Sequence, residues 1–109
     1  MVMPRDKVLG LVREVRDGLA PLYGDRIKGV YLFGSYARGD AREGSDINVA
    51  VVLRGPVDEG EESERGSELL GALSLRDDCV VTAVFVSEED FTTTPYAIHR
   101  RIVREGIAV

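Results

Sequence analysis

The sequence predicts an α/β fold: a small sheet with helices packed against at least one face. Three observations carry that prediction. Val8, Leu11, Val12, Val15 and Leu19 recur at helical spacing, and residues 27–33, 46–53 and 79–86 form three runs rich in β-branched residues. Helical patterns stand before, between and after those runs, giving the order α-β-β-α-β-α over a single domain, residues 1–109.

Each element follows from local chemistry. Arg13, Glu14, Arg16 and Asp17 supply the polar side of the first helix; Pro4 suits its entry and Pro21 is expected to stop it. Gly24 and Asp25 then turn the chain into the first strand. Gly34, Gly39 and Gly44 punctuate the next loop, and the second strand follows with Ile47, Val49, Val51 and Leu53 on its core face. Arg54-Gly55-Pro56 breaks that strand. An acidic segment opens the next helix, whose apolar end is Leu69, Leu70 and Leu73; Gly60, Gly66 and Gly71 weaken it by about 1 kcal/mol each. After the third strand Ser87-Glu88-Glu89-Asp90 turns away, with Ser87 as N-cap and Asp90 at the capping-box position. Residues 95–105 read as a last helix closed by Gly106 at C′, and 107–109 as a short edge strand.

Charge and composition exclude several classes. The chain has 109 residues, 14 basic against 19 acidic, hence a formal charge of −5. Residues 58–68 hold six acids against Arg65 and carry that −5 alone, leaving thirteen against thirteen elsewhere. No strongly positive stretch marks a nucleic-acid or membrane-surface footprint; Arg100, Arg101 and Arg104 form the one local basic cluster. The single cysteine, Cys79, excludes an intrachain disulfide and reads as a small buried hydrophobe. No apolar run approaches the ~20 residues of a membrane helix, and the charged start lacks a signal-peptide core, so a cytoplasmic protein is expected.

The chemistry concentrates in Phe33-Gly34-Ser35-Tyr36-Ala37-Arg38-Gly39-Asp40 and, after a short loop, Ser45-Asp46-Ile47-Asn48. A strand ending in Gly-Ser lets a phosphate approach the backbone, where the Ser35 hydroxyl and nearby amides can donate to it. Asp46 and Asn48, two apart on a strand, face the same side. Two oxygen ligands opposite a phosphate-holding turn suit metal-assisted phosphoryl chemistry.

These residues resemble the DNA polymerase beta type nucleotidyltransferase superfamily and its small stand-alone members, the minimal nucleotidyltransferases. Leu32-Phe33, Gly34-Ser35, Ala37-Arg38-Gly39 and Ser45-Asp46 match the family pattern in place, and the outline extends to Glu105-Gly106. The resemblance implies a palm-like fold, a small mixed sheet with packed helices. It also implies transfer of a nucleoside monophosphate from ATP or another triphosphate to an acceptor hydroxyl, assisted by one or two Mg²⁺ ions. Gly34, Ser35, Arg38 and Ser45 would bind the nucleotide, Arg38 either pairing with phosphate or bracing the loop. Asp46 and Asn48 would be the catalytic and metal-binding pair.

Two departures stand out. Asn48 occupies the family's second Asp position and brings no negative charge. The third carboxylate is replaced by Thr82 or Val84, with Asp77 and Asp78 as imperfect substitutes near the strand's start. The resemblance further implies a partner, since many stand-alone members are antitoxins that modify a cognate toxin. A toxin-like or helical subunit, or a second copy in a homo-oligomer, would complete so short a chain. The alternative is a catalytically inactive relative serving as a nucleotide-binding or protein-interaction module. His99 is expected at the surface or in a groove, and Tyr36 to pack against the loop or stack on a base.

Overall fold

The apolar stripe from Val8 to Leu19 forms helix α1 (Arg5–Tyr23) in the computed structural model, which describes residues 2–109. Met1, part of the charged start, lies outside the described residues. All five stripe residues are buried, and Tyr23 joins them. Pro21 does not stop the helix. It stands in the last turn, where its missing N–H removes one bond, and the chain continues far enough to bury the Tyr23 ring. A single 3₁₀ turn (Gly24–Arg26) leads into strand β1 (Ile27–Phe33), followed by the short helix α2 (Ser35–Arg38) and strand β2 (Ile47–Leu53).

The acidic segment becomes the start of helix α3 (Glu59–Asp77). Asp58 caps it, accepting from the Glu61 N–H at 3.0 Å, and Glu59, Glu61 and Glu62 fill the first turn, where the helix end favours negative charge. Strand β3 (Val81–Ser87), helix α4 (Glu88–Thr93), helix α5 (Ala97–Glu105) and strand β4 (Ile107–Ala108) complete the described residues. Ser87 caps as expected, its hydroxyl accepting from the Asp90 N–H at 3.1 Å, and the segment it opens is the short helix α4. Gly106 also differs from expectation. Its φ is −61°, so no left-handed cap forms; a Cβ there would meet the Ile102 carbonyl oxygen at 2.5 Å. Close approach, not handedness, selects glycine.

Among the described residues the sheet order is β3-β2-β1-β4. β1 pairs antiparallel with β2 and β4, while β2 pairs parallel with β3, so the sheet is mixed. A parallel pair needs a crossover, and α3 supplies it. Alternation along the strands sends Val30, Leu32, Val49 and Val51 into one core with α1 and α3. Phe33, Ala50 and Val86 pack on the other face against Ile102 of α5, with Tyr31 stacked on Phe91 of α4. Helices therefore cover both faces. Along the outer side of β3, the Val81 N–H donates to Ser74 Oγ at 3.1 Å and the Phe85 N–H to the Glu59 carboxylate at 3.2 and 3.3 Å. Burial pushes the Glu59 carboxyl up, against the hydrogen bonds from Phe85 and Ser63.

Candidate functional site

β1 delivers Phe33 opposite Asn48 of β2, and the chain leaves the sheet at Gly34. Gly34 has φ +85°, and a Cβ there would lie 2.6 Å from Asn48 Nδ2. Only glycine meets both demands. The next carbonyls close α2: the Ala37 and Arg38 N–H groups donate to Gly34 O, and those of Gly39 and Asp40 to Ser35 O. The Ser35 and Tyr36 amides have no backbone acceptor among the described residues and stay available at the turn.

Glu105, at the end of α5, ties this turn down. One carboxylate oxygen accepts from the Gly34 N–H at 3.0 Å; the other accepts from Arg38 Nη1 at 3.0 Å and faces Arg101 Nε at 3.5 Å. Burial alone would raise the Glu105 carboxyl, but Gly34, Arg38 and Arg101 together hold it below the usual carboxylate range. Arg38 also donates to Asp40 at 3.2 Å. Of the two roles the sequence left open for Arg38, its contacts are those of a brace. Ser45 closes a tight loop, its hydroxyl accepting from the Arg42 N–H at 2.9 Å.

Asp46 stands just before β2, exposed, with no hydrogen bond or ion pair to any described residue. Asn48 is half-buried and pairs in register with Thr82 of β3, whose hydroxyl donates to Asn48 Oδ1 at 2.9 Å. Thr82 therefore occupies the position beside Asn48, whereas Val84 packs with Phe33 and Ala50. Asp77 is bound by Arg76 at 2.9 Å, and Asp78 is an exposed left-handed helix cap. Among the described residues no three His, Cys, Asp or Glu side chains converge as a metal cluster.

The sequence thus brings Gly34, Ser35 and Asn48 together at one end of the sheet, with Asp46 at the head of β2. It did not reveal Glu105 as the clamp, because 71 positions separate it from Gly34; the only signal was its place at the close of the last helix. Of the two placements expected for His99 the structure gives the groove: the side chain is largely buried, its Nδ1 accepting from the Tyr96 N–H at 3.3 Å, and it lines a cleft of about 680 Å³ at the far ends of β2 and β3. Tyr36 packs, its hydroxyl accepting from the Met3 N–H at 3.3 Å, and Cys79 sits half-buried against the core. No helix of the described residues is long and apolar enough to cross a membrane.

Comparison with known proteins finds relatives of the chain and of its fold. Residues 12–106 match the model of the family described as "Nucleotidyltransferase domain". A Methanocaldococcus jannaschii protein named "Putative protein adenylyltransferase" is 38% identical over 96 residues, covering 87% of this chain and 90% of the relative. A second of the same name and organism is 26% identical over 78 residues, covering 72% and 78%. The crystal structure of a "putative nucleotidyltransferase from Sulfolobus solfataricus" shares the fold at a TM-score of 0.69 and 21% identity, over 95% of this chain and 80% of that one. The crystal structure of a toxin-antitoxin with AMP-PNP does so at 0.59 and 23%, over 97% and 72%.

Proposed function

The chain belongs to the nucleotidyltransferase domain family, and from that membership we propose that it binds a nucleoside triphosphate with Mg²⁺ and transfers the nucleoside monophosphate to a hydroxyl on a partner protein. The observation that carries this reading is Asp46. Asp40 and Glu105 are committed to Arg38 at the Gly34-Ser35 turn, whereas the Asp46 carboxylate is exposed at the head of β2 with no partner among the described residues. A carboxylate that satisfies nothing in the fold is available to a ligand. The names of the M. jannaschii relatives support AMP as the transferred group and a protein as acceptor, and the toxin-antitoxin structure supports a toxin-like partner, as in an antitoxin. A cytoplasmic setting, where nucleoside triphosphates abound, and one domain over 1–109 belong to the same reading.

In the transfer, the acceptor oxygen forms a bond to the α-phosphorus while the bond to the β-phosphate bridging oxygen breaks. Pyrophosphate leaves, and the hydroxyl proton passes to solvent. The Ser35 and Tyr36 amides and the Ser35 hydroxyl orient the phosphates, and Gly34 keeps the backbone close enough for them to do so. Glu105 holds the turn rigid through Gly34 and Arg38. A hard divalent cation takes oxygen ligands and retains waters, and Asp46 with the Asn48 amide oxygen fits one such ion arriving with the nucleotide. Bound there, Mg²⁺ would neutralise the triphosphate and polarise the phosphoryl oxygen. One carboxylate gives little electrostatic reason to hold a second ion.

A second reading rests on the Asn48–Thr82 hydrogen bond, which sets two neutral side chains on the site face. It makes the chain a nucleotide-binding or protein-interaction module without turnover. Calorimetry with ATP and Mg²⁺, alongside label transfer from α-labelled ATP to a co-expressed partner, separates the two. Binding and transfer that both vanish in Asp46→Ala support the enzyme. Binding without transfer leaves the nucleotide-binding module, and no binding at millimolar ATP removes the nucleotide site from both readings.

A further inference from the structure

We propose that Arg101 of α5 is a phosphate-binding residue of this site, supplying by a side-chain cation part of the counter-charge that its sparse carboxylates cannot recruit as metal. This inference rests on the nucleotide-binding reading above.

The placement comes first. The Arg101 guanidinium carbon lies 5.6 Å from the centroid of the Phe33 ring. Phe33 is the last residue before Gly34 and the register partner of Asn48, so their side chains share one face of the sheet. Thr82, in register with Asn48 and bonded to it, stands on the same face. Arg101 therefore stands over the face that carries Asn48 and Thr82, beside the Gly34-Ser35 turn.

Its availability comes second. Arg38 is held by Asp40 at 3.2 Å and Glu105 at 3.0 Å, whereas Arg101 has, among the described residues, a single ion-pair contact, to Glu105 at 3.5 Å, and is 42% exposed. Phe33 beneath it supports the guanidinium plane by cation–π attraction without using any of its N–H donors. Five donors in a planar fork suit two phosphate oxygens at once.

Charge supplies the third argument. A triphosphate brings close to four negative charges, and one Mg²⁺ neutralises two. Asn48 and Thr82 are neutral and add no repulsion of their own to the remaining charge. A cation there binds phosphate directly, where a carboxylate-rich face would need a second metal to do so.

Arg101→Gln keeps the stem over Phe33 and removes the charge; Arg101→Lys restores it without the fork. By calorimetry with Mg²⁺, Arg101→Gln is expected to weaken ATP about tenfold, Arg101→Lys to recover part of the loss, and adenosine to bind all three proteins alike. Inorganic triphosphate should follow ATP. Equal ATP affinity in wild type and Arg101→Gln, or a parallel loss of adenosine and ATP, overturns the assignment. Failure of the wild type to bind ATP overturns instead the nucleotide-site reading on which it rests.

Discussion

Thr82 Oγ1 donates to Asn48 Oδ1 across 2.9 Å, at one register position of the parallel pair β2–β3. The bond fixes the amide: Oδ1 faces Thr82, and Nδ2 faces the Gly34 backbone. Two uncharged groups thus stand side by side next to the Gly34 turn.

Restoring the charge is the direct probe. Asn48→Asp keeps an acceptor for Thr82 and adds a negative charge near Asp46. Nucleotide affinity is expected to rise about tenfold with Mg²⁺ and to fall without it, both read by calorimetry. Unchanged affinity in Mg²⁺ places residue 48 outside the reach of the metal.

Gly34→Ala combines a positive φ with a 2.6 Å approach to Asn48 Nδ2. The expected cost is about 2 kcal/mol in urea unfolding, together with loss of ATP binding, because Asn48 or the turn must move. A variant as stable as wild type would mean that the turn relaxes freely.

Glu105→Gln removes a charge but not the shape. Gly34 keeps an acceptor while Arg38 and Arg101 lose their ion pair, and the expected destabilisation near neutral pH is about 1–2 kcal/mol. The folded protein holds the Glu105 carboxyl below its ordinary value of 4.5, so it binds this proton less readily than the unfolded chain does. The contribution is therefore complete above the unfolded value and disappears as pH falls through the lower folded one. Urea midpoints of wild type and variant should converge in that acid window; a constant gap contradicts the ion-pair account.

Tyr23 donates to the buried Glu62 at 2.9 Å, and Arg65 approaches the same oxygen at 3.1 Å. Burial first, then the bond to Glu62, pushes the phenol up to about 12. The neutral phenol is the form that the fold favours, so its contribution is intact below the ordinary value of 10.0 and is lost as pH rises toward 12. Tyr23→Phe leaves Glu62 with Arg65 alone and should cost about 1–3 kcal/mol in urea unfolding. It should also delete one late-ionising step from the tyrosinate absorbance titration.

Much of this was legible in the sequence because its periods are local. The Val8 to Leu19 stripe, the alternation from Ile47 to Leu53 and the Gly34-Ser35 turn each announce themselves within a few residues. The side-chain partnerships did not. Glu105 reaches Gly34 and Arg38 only because α5 folds back over β1, and no spacing rule spans that distance. Pro21 read as a stop because local propensity ignores what burying Tyr23 returns. Gly106 carries a residue type that suits a left-handed cap, whereas its reason is a carbonyl pressed against its Cα, which tertiary packing alone decides.

The bonds from β3 to α3 have a consequence for how copies of the protein meet. A strand at the margin of a sheet offers a ladder of unused donors to any extended chain that passes, its own twin included. Here two rungs, at Val81 and Phe85, are already taken by Ser74 and Glu59. Helix α3 thus acts as a lock on that margin through Ser74 near one end and Glu59 at the other, and stacking of one sheet onto the next along β3 must first displace these two side chains.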